Sequence, residues 1–307
     1  RIEIFTDMVV FDSFSVYVRT FLLAFAVLFV IFTRLSGIPR RGDGTDFYCL
    51  FFGSTLGMCL MSSANHMLSV FLAVEMASVP SYALAGILRQ QKSSEAALKY
   101  AVYGAGAAGV MVYGISLVSG LTHSAHMPTM AAQLAQMISM GEIATPEYMV
   151  LALGGLMIMA GLAFKLSAVP FHFWCPDVFE GAAAEVGAFL SIASKAAALA
   201  LLVRVALGFS LVQSEYFDEP IAVASEETVT AIAPAQAGLM NIADDEIASP
   251  IEKPGAELAD KAPYDQEQAM HALSNVRSFM AILIGVIAAI TCTFGNLAAY
   301  AQTNVKR

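Results

Sequence analysis

Charge is what this sequence has least of. Only 13% of its 307 residues are charged and 58% are hydrophobic, against about 25% and roughly 45–50% in an ordinary soluble domain. At a mean hydropathy of +0.68 the chain has too few polar groups to cover a core with water-facing surface. A bilayer is therefore the expected solvent. Cysteine is scarce as well, and Cys49, Cys59, Cys175 and Cys292 make no C-x-x-C pair. Neither an iron–sulfur cluster nor a zinc ribbon is indicated, so no metal or cofactor is assigned to this chain and no redox step is expected in it. An initiating methionine is missing too. The chain begins at Arg1, and the stretch before Phe14 lacks a signal-peptide pattern, so a fragment or processed product is expected.

Basic residues are outnumbered, 16 Lys and Arg to 25 Asp and Glu, but the excess is local. Thirteen of the carboxylates, Glu215 to Glu267, lie between Phe209 and Val276, opposed only by Lys253 and Lys261. Elsewhere 14 basic residues face 12 acidic ones. The charge describes one loop, and no nucleic-acid surface is expected.

What the chain does have is apolar runs. Seven are long enough to cross about 30 Å of hydrocarbon, which takes roughly 20 helical residues: Phe14 to Phe32, Phe47 to Ala64, Met67 to Leu88, Ala101 to Leu121, Tyr148 to Val169, Val186 to Leu207 and Phe279 to Tyr300. They show no period-two alternation, so helices are expected and a β-barrel is not. The fold class is an all-α, polytopic transmembrane bundle in three stretches. Residues 1–208 hold six spans, 209–276 form an acidic and mostly flexible external loop, and 277–307 hold the seventh span.

Lys and Arg near the span ends give an orientation. With the N-terminus outside, the inner side collects Arg34, Arg40, Arg41, Arg89, Lys92, Lys99, Lys306 and Arg307, and the outer side only Arg1 and Arg277.

The informative residues are ionisable ones inside the spans. Glu75 is the ninth residue of the third run and Lys195 the tenth of the sixth, both near the midplane; Lys165 lies deep in the fifth, five residues before Pro170. The helical pattern continues through Phe171, Phe173 and Trp174, with Pro170 kinking or breaking it. A central charge costs about 2.5–3.5 kcal/mol on insertion scales. A single Glu–Lys pair reads equally well as an interhelical tie that fixes packing. The third charge changes that reading, because one lysine is left without an acid and must be neutral, hydrated or alternating. A carboxylate that moves towards or away from a lysine alters its hold on a proton, as a proton path requires.

Other signals carry less. Arg19 and Arg204, near span ends, are expected to snorkel to the interface. Gly104, Gly106 and Gly109 spell G-x-G-x-x-G inside a span with no strand before it, and read as helix packing, as do Gly53 and Gly57. His123 and His126 fall in a loop without a third ligand. His172 follows the break in the fifth span and reads either as part of the site or as a hydrogen-bonded core histidine.

The stretches LAVEMASVPSYALAG (Leu72 to Gly86), EAALKYAVYGAGAAG (Glu95 to Gly109), FKLSAVPFHFWCPDVFEGA (Phe164 to Ala182), SKAAALALL (Ser194 to Leu202) and FGNLAAYAQTNVKR (Phe294 to Arg307) resemble subunit N of respiratory complex I, called subunit 2 in mitochondria. This is the antiporter-like membrane subunit of NADH:quinone oxidoreductase. The resemblance covers nearly the whole chain outside the acidic loop. It implies that Glu75 and Lys165 form a coupling pair, that Lys195 stores a proton on a hydrated axis, and that Pro170, with His172 close by, marks a discontinuous helix. It also implies a non-redox subunit, with NADH, FMN, iron–sulfur clusters and quinone in partner subunits, and other membrane subunits of the complex as partners.

The chain corresponds to the third to ninth of that family's fourteen helices, so it should not be a finished pump alone, and a separate chain supplying the missing helices is one expectation. The family's EGAP is here Glu180, Gly181, Ala182 and Ala183, and the acidic loop reads as a lineage-specific insertion. A bacterial plasma membrane is expected ahead of a mitochondrial inner membrane. Two rival functions share the same charges: a subunit of a multisubunit cation/proton antiporter, and an assembly scaffold that conducts nothing.

Overall fold

The computed structural model describes residues 1–38, 44–141, 145–209 and 271–300. A short antiparallel hairpin, β1 (Ile2–Ile4) and β2 (Val9–Phe11), opens the chain. The helices are α1 (Ser13–Ser36), α2 (Gly44–Met61), α3 (Met67–Ala85), α4 (Gln91–Leu121), α5 (Met127–Met140), α6 (Thr145–Leu166), α7 (Trp174–Gly181), α8 (Ala184–Phe189), α9 (Lys195–Gly208) and α10 (Ser274–Tyr300). A π turn, Leu190–Ser194, joins α8 to α9 without interrupting the helix.

Six helices among the described residues are long and apolar enough to cross a membrane: α1, α3, α4, α6, the continuous run Ala184–Gly208, and α10. The chain is a multi-pass helical membrane protein. The second expected span, α2, forms as a helix of 18 residues, but Thr45, Asp46, Ser54 and Thr55 dilute its apolarity and it is not among the six. The acidic segment, apart from its first residue and the stretch from His271, lies outside the described residues, as do Arg40, Arg41, Lys306 and Arg307.

Local chemistry sets the ends of these elements. Asp12 caps α1 by accepting from the Ser15 amide at 2.8 Å, the Ser15 hydroxyl accepts from the Asp12 amide, and Gly37 closes the helix in the left-handed region. α4 starts ten residues before its apolar run because Lys92, Glu95 and Lys99 belong to polar helical turns continuous with the span. α5 has 14 residues, too few for a span, and occupies part of what reads in the sequence as a loop. Its start is tied to the turn before α3, where the Met127 amide donates to Asn65 O and the Met67 amide to Ala125 O.

Small residues bring the helices together. A Cβ on Gly57 would lie 2.5 Å from the Ala77 backbone nitrogen, and one on Gly114 would lie 2.7 Å from Gly154 O, so α2 meets α3, and α4 meets α6, with backbones nearly touching. Gly53 meets nothing closer than Pro80 at 3.9 Å. An aromatic core joins α1, α2 and α8, where Phe29 stacks on Phe51 at 4.5 Å and Phe189 meets Phe51 edge-on at 5.0 Å. α10 has no buried residue, but Met280, Leu283 and Ile284 pack, partly buried, against the core.

Candidate functional site: a carboxylate and a lysine sharing a one-water void

The fifth apolar run does not remain helical through Trp174. α6 ends at Leu166, Ser167 takes a φ of +57°, and helix resumes at Trp174. Pro170 lies inside this break, which starts three residues before it. Non-helical backbone survives at membrane depth only if its polar groups find partners, and here they do. Trp174 Nε1 donates to Phe164 O at 3.1 Å, the Ala168 amide to Ala163 O at 2.8 Å, and the Val169 amide to Thr291 Oγ1 on α10 at 3.0 Å. Cys175 Sγ donates to Ser167 Oγ at 2.9 Å.

Lys165, on the last turn of α6, is thereby held inside the bundle at 5% exposure. Glu75 reaches towards it from α3 and is half-buried. Each feels the charge of the other, yet no ion pair within 4.0 Å joins them among the described residues. Both line a void of about 10 Å³, together with Gly104, Met111, Gly161 and Phe164, which is about the space one water centre needs. The Lys165 ammonium lies 5.9 Å from the centroid of the Tyr82 ring. Tyr82 meets Tyr100 edge-on at 4.6 Å, and Tyr100 stacks on Trp174 at 4.4 Å. This aromatic wall joins α3, α4 and the segment after the break.

Gly104 seats that wall: a Cβ there would fall 2.0 Å from the Tyr82 hydroxyl. Of the three glycines in the G-x-G-x-x-G pattern it alone makes a close contact, since Gly106 and Gly109 face open space.

Lys195 is not in direct contact with this pair. It follows the π turn on α9, half-buried, with its ammonium 5.7 Å from the Phe179 ring centroid. Its charge is felt at Cys175, whose thiol is bonded to Ser167 two residues after Lys165. His172 lies in the break, with Nδ1 buried and without a hydrogen-bond partner.

Arg204 overturns the expectation that it snorkels. It is 7% exposed and faces inward, where its Nη1 and Nη2 reach Asp12 Oδ2 and Oδ1 at 2.6 and 2.8 Å, its Nε and Nη2 reach Ser62 O at 3.1 and 2.9 Å, and Phe14 stacks 5.0 Å away. The bidentate fork is the reason, because an arginine so bonded gains more inside than at the interface. Arg19 also turns to protein, donating to Cys59 O at 3.4 Å. His126 lies, as expected, in the segment before α5, at its N-cap position without a side-chain capping bond, with Nε2 2.8 Å from Asn65 Nδ2 and Nδ1 2.8 Å from Thr129 Oγ1. Among the described residues no three His, Cys, Asp or Glu gather as a metal site would need.

The sequence reading missed Tyr82, although its spacing is a signal: it follows Glu75 by seven residues on one helix and shares its face. It also missed Asp12, 192 residues from Arg204.

The chain is 40% identical over 209 residues to an NADH-quinone oxidoreductase subunit N of Symbiobacterium thermophilum, covering 67% of this chain and 41% of that protein. It is 33% identical over 309 residues to subunit N of an Anaeromyxobacter species, covering 99% of this chain and 49% of the relative. A chain of the Thermus thermophilus respiratory complex I with bound Aureothin superposes with a TM-score of 0.51 at 34% identity, over 68% of this chain and 43% of that one. This chain thus spans two fifths to a half of the length of these relatives. The sequence profile of the family described as NADH:quinone oxidoreductase/Mrp antiporter, TM, matches residues 64–239, a stretch that contains Glu75, Lys165 and Lys195 together with the helix break between them, and the chain belongs to that family.

Proposed function

We propose that this chain relays protons in the membrane arm of an NADH-quinone oxidoreductase, with Glu75 and Lys165 as the switching pair and Lys195 as the group that holds the proton next. The observation that carries the reading is that Glu75 and Lys165 line one void without an ion pair joining them, since two opposite charges that merely fixed packing would close to contact. A water in the void accepts a proton from the ammonium or delivers one to the amine, depending on how near the carboxylate stands. From there the Ser167 hydroxyl and the Cys175 thiol continue towards Lys195, each able to give one proton as it takes another.

The energies match. Moving one charge through 100 mV costs about 2.3 kcal/mol, and a change of one to two pKa units in a buried group, about 1.4 kcal/mol each, is of that size. In this reading quinone reduction in partner subunits, which hold NADH, FMN, iron–sulfur clusters and quinone, drives the displacement. The chain itself does no redox chemistry and sits in a bacterial plasma membrane with the Arg34, Arg89, Lys92 and Lys99 end inside.

The family description also names Mrp antiporters, which keeps a cation/proton antiporter as the second reading. Three measurements on the full-length subunit in its complex decide. Glu75→Gln is expected to lower proton pumping while the complex still assembles, and Lys195→Ala to abolish coupled proton uptake. An unchanged uptake in Lys195→Ala favours a non-conducting scaffold. Transport that persists without any quinone reductase favours the antiporter.

A further inference from the structure

Glu185 takes no part in the relay just described, and nothing in the packing explains it. It is the second residue of α8, only 5% exposed, and its Oε2 is buried with no hydrogen-bond partner. It does not cap the helix, since the N-cap is Ala183 and no side-chain capping bond is made. α8 packs against α1, α3, α7 and the π turn. The charged groups on these elements and on the helix that follows are Arg19, Arg34, Glu75, Asp177, Glu180, Lys195 and Arg204, and none is within ion-pair distance of Glu185 among the described residues. Glu185 lies in the first turn of α8, where the helix dipole favours a negative charge, but its Oε2 has given up hydration with no hydrogen bond in return. A proton is the smallest species that relieves it.

Its position fits that role. Gly181, four residues earlier, packs on the first turns of α4 and lines an open cavity of about 190 Å³ ringed by Lys92, Glu95, Lys99, Asp177 and Glu180. These groups hold one another, with Lys99 2.9 Å from Asp177 and 2.8 Å from Glu95, so the cavity mouth is polar and wettable. On the other side, Lys195 follows Glu185 by ten residues on the same continuous helix, about 15 Å along its axis. Among the described residues Glu185 is thus a buried acid that lies, along the chain, after a charged cavity and before the lysine that the relay uses.

We infer that Glu185 is the proton-loading residue of this relay, taking protons that enter from the cavity at Gly181 and passing them towards Lys195. The step balances without any change of electrons. A proton delivered by water forms an O–H bond on Oε2 and neutralises the carboxylate; that bond then breaks as water carries the proton on, and the Lys195 amine becomes an ammonium. The inference rests on the proposed relay for its direction.

The test uses the assembled complex, carrying the full-length subunit, in proteoliposomes. Glu185→Gln keeps size and polarity but cannot load a proton, and it is expected to lower protons pumped per NADH oxidised several-fold, with Glu185→Asp restoring most of it. In infrared difference spectra between acid and neutral buffer, the carboxyl C=O band is expected to vanish in Glu185→Gln and to shift in Glu185→Asp, which a packing role would not produce. Full pumping by Glu185→Gln, or an unchanged band, overturns the inference. Should Glu185→Gln fail to assemble, Glu185→Asp decides: a shifted band with slowed pumping supports loading, and an unshifted band overturns it. Lys195→Ala, measured alongside, separates the two readings. If it stops pumping while Glu185→Gln does not, only Glu185 loses its role; if it still pumps, the relay itself is wrong.

Discussion

Two cations lie buried in this bundle to almost the same depth, Arg204 at 7% exposure and Lys165 at 5%, and their surroundings are opposite. Arg204 is held by both oxygens of Asp12, the Ser62 carbonyl and the Phe14 ring, with four hydrogen bonds from its five N–H donors. Lys165 shares the lining of a small void with a carboxylate that makes no ion pair with it, and has an aromatic face. The first arrangement has one low-energy state and holds α1, α2 and α9 together. The second can rearrange by the movement of one water or one carboxylate. In the relay proposed above, it is therefore incomplete satisfaction, and not burial alone, that sets Lys165 apart from Arg204.

The comparison breaks most readily at Lys165. Replacing it by Met removes the charge yet keeps the volume, and proton pumping by the complex is expected to fall by about tenfold or more, equivalent to at least about 1.4 kcal/mol in the transfer barrier. Resistance to unfolding in detergent should hold or rise, because an incompletely paired buried charge has been exchanged for an apolar group. A clear loss of stability would show that Lys165 is as structural as Arg204.

Arg204→Ala should do the reverse. It leaves Asp12 and the Ser62 carbonyl unanswered and is expected to lower stability by about 3 kcal/mol, read from the detergent unfolding midpoint. Removing Asp12 as well should return part of it, since neither charge is then stranded.

Gly104→Ala sharpens the contrast from the side of the wall. Displacing Tyr82 is expected to cost about 1–3 kcal/mol and to slow pumping together with it. Gly106→Ala, where nothing lies within 4 Å, should stay within about 0.5 kcal/mol.

Acid gives the smallest effect. The Arg204 guanidinium holds the Asp12 carboxyl down from an ordinary 3.8 to about 2. A depressed carboxyl stabilises the fold fully above its unfolded value, and that contribution disappears as pH falls from about 4 towards 2. Because Asp12 remains partly open to solvent, about 1 kcal/mol is expected, seen as a faster unfolding rate in that window and absent in Asp12→Asn.

These two charges also show what could be read from the chain before folding. Glu75, Lys165 and Lys195 stood out because a charge in the middle of an apolar run needs a reason wherever its partner lies. Arg204 was misjudged because its position near the end of a run allowed snorkelling, and the carboxylate that draws it inward sits 192 residues away. Five of the seven apolar runs became spans within a few residues of their expected bounds, since hydrocarbon thickness fixes their length. The exceptions have physical causes. α4 is continued by charged turns that hydropathy does not register, and α2 is too polar to count as a span by composition although packing holds it in the bundle. The break starts at Ser167 instead of at Pro170, because tertiary contacts supply its partners: Trp174 and Cys175 donate to the Phe164 carbonyl and the Ser167 hydroxyl, and Thr291 accepts from the Val169 amide. α5 was invisible because a helix of 14 residues between two loops carries no membrane signature.

Gly104 gives the ion site an evolutionary consequence. Every single-base change in a glycine codon that alters the residue adds a side chain, and at this position the first atom added lands on the Tyr82 hydroxyl. Selection therefore judges each such change by the ring above Lys165 before fit between helices matters, and lineages should drift freely at Gly106 and Gly109 while Gly104 stays fixed.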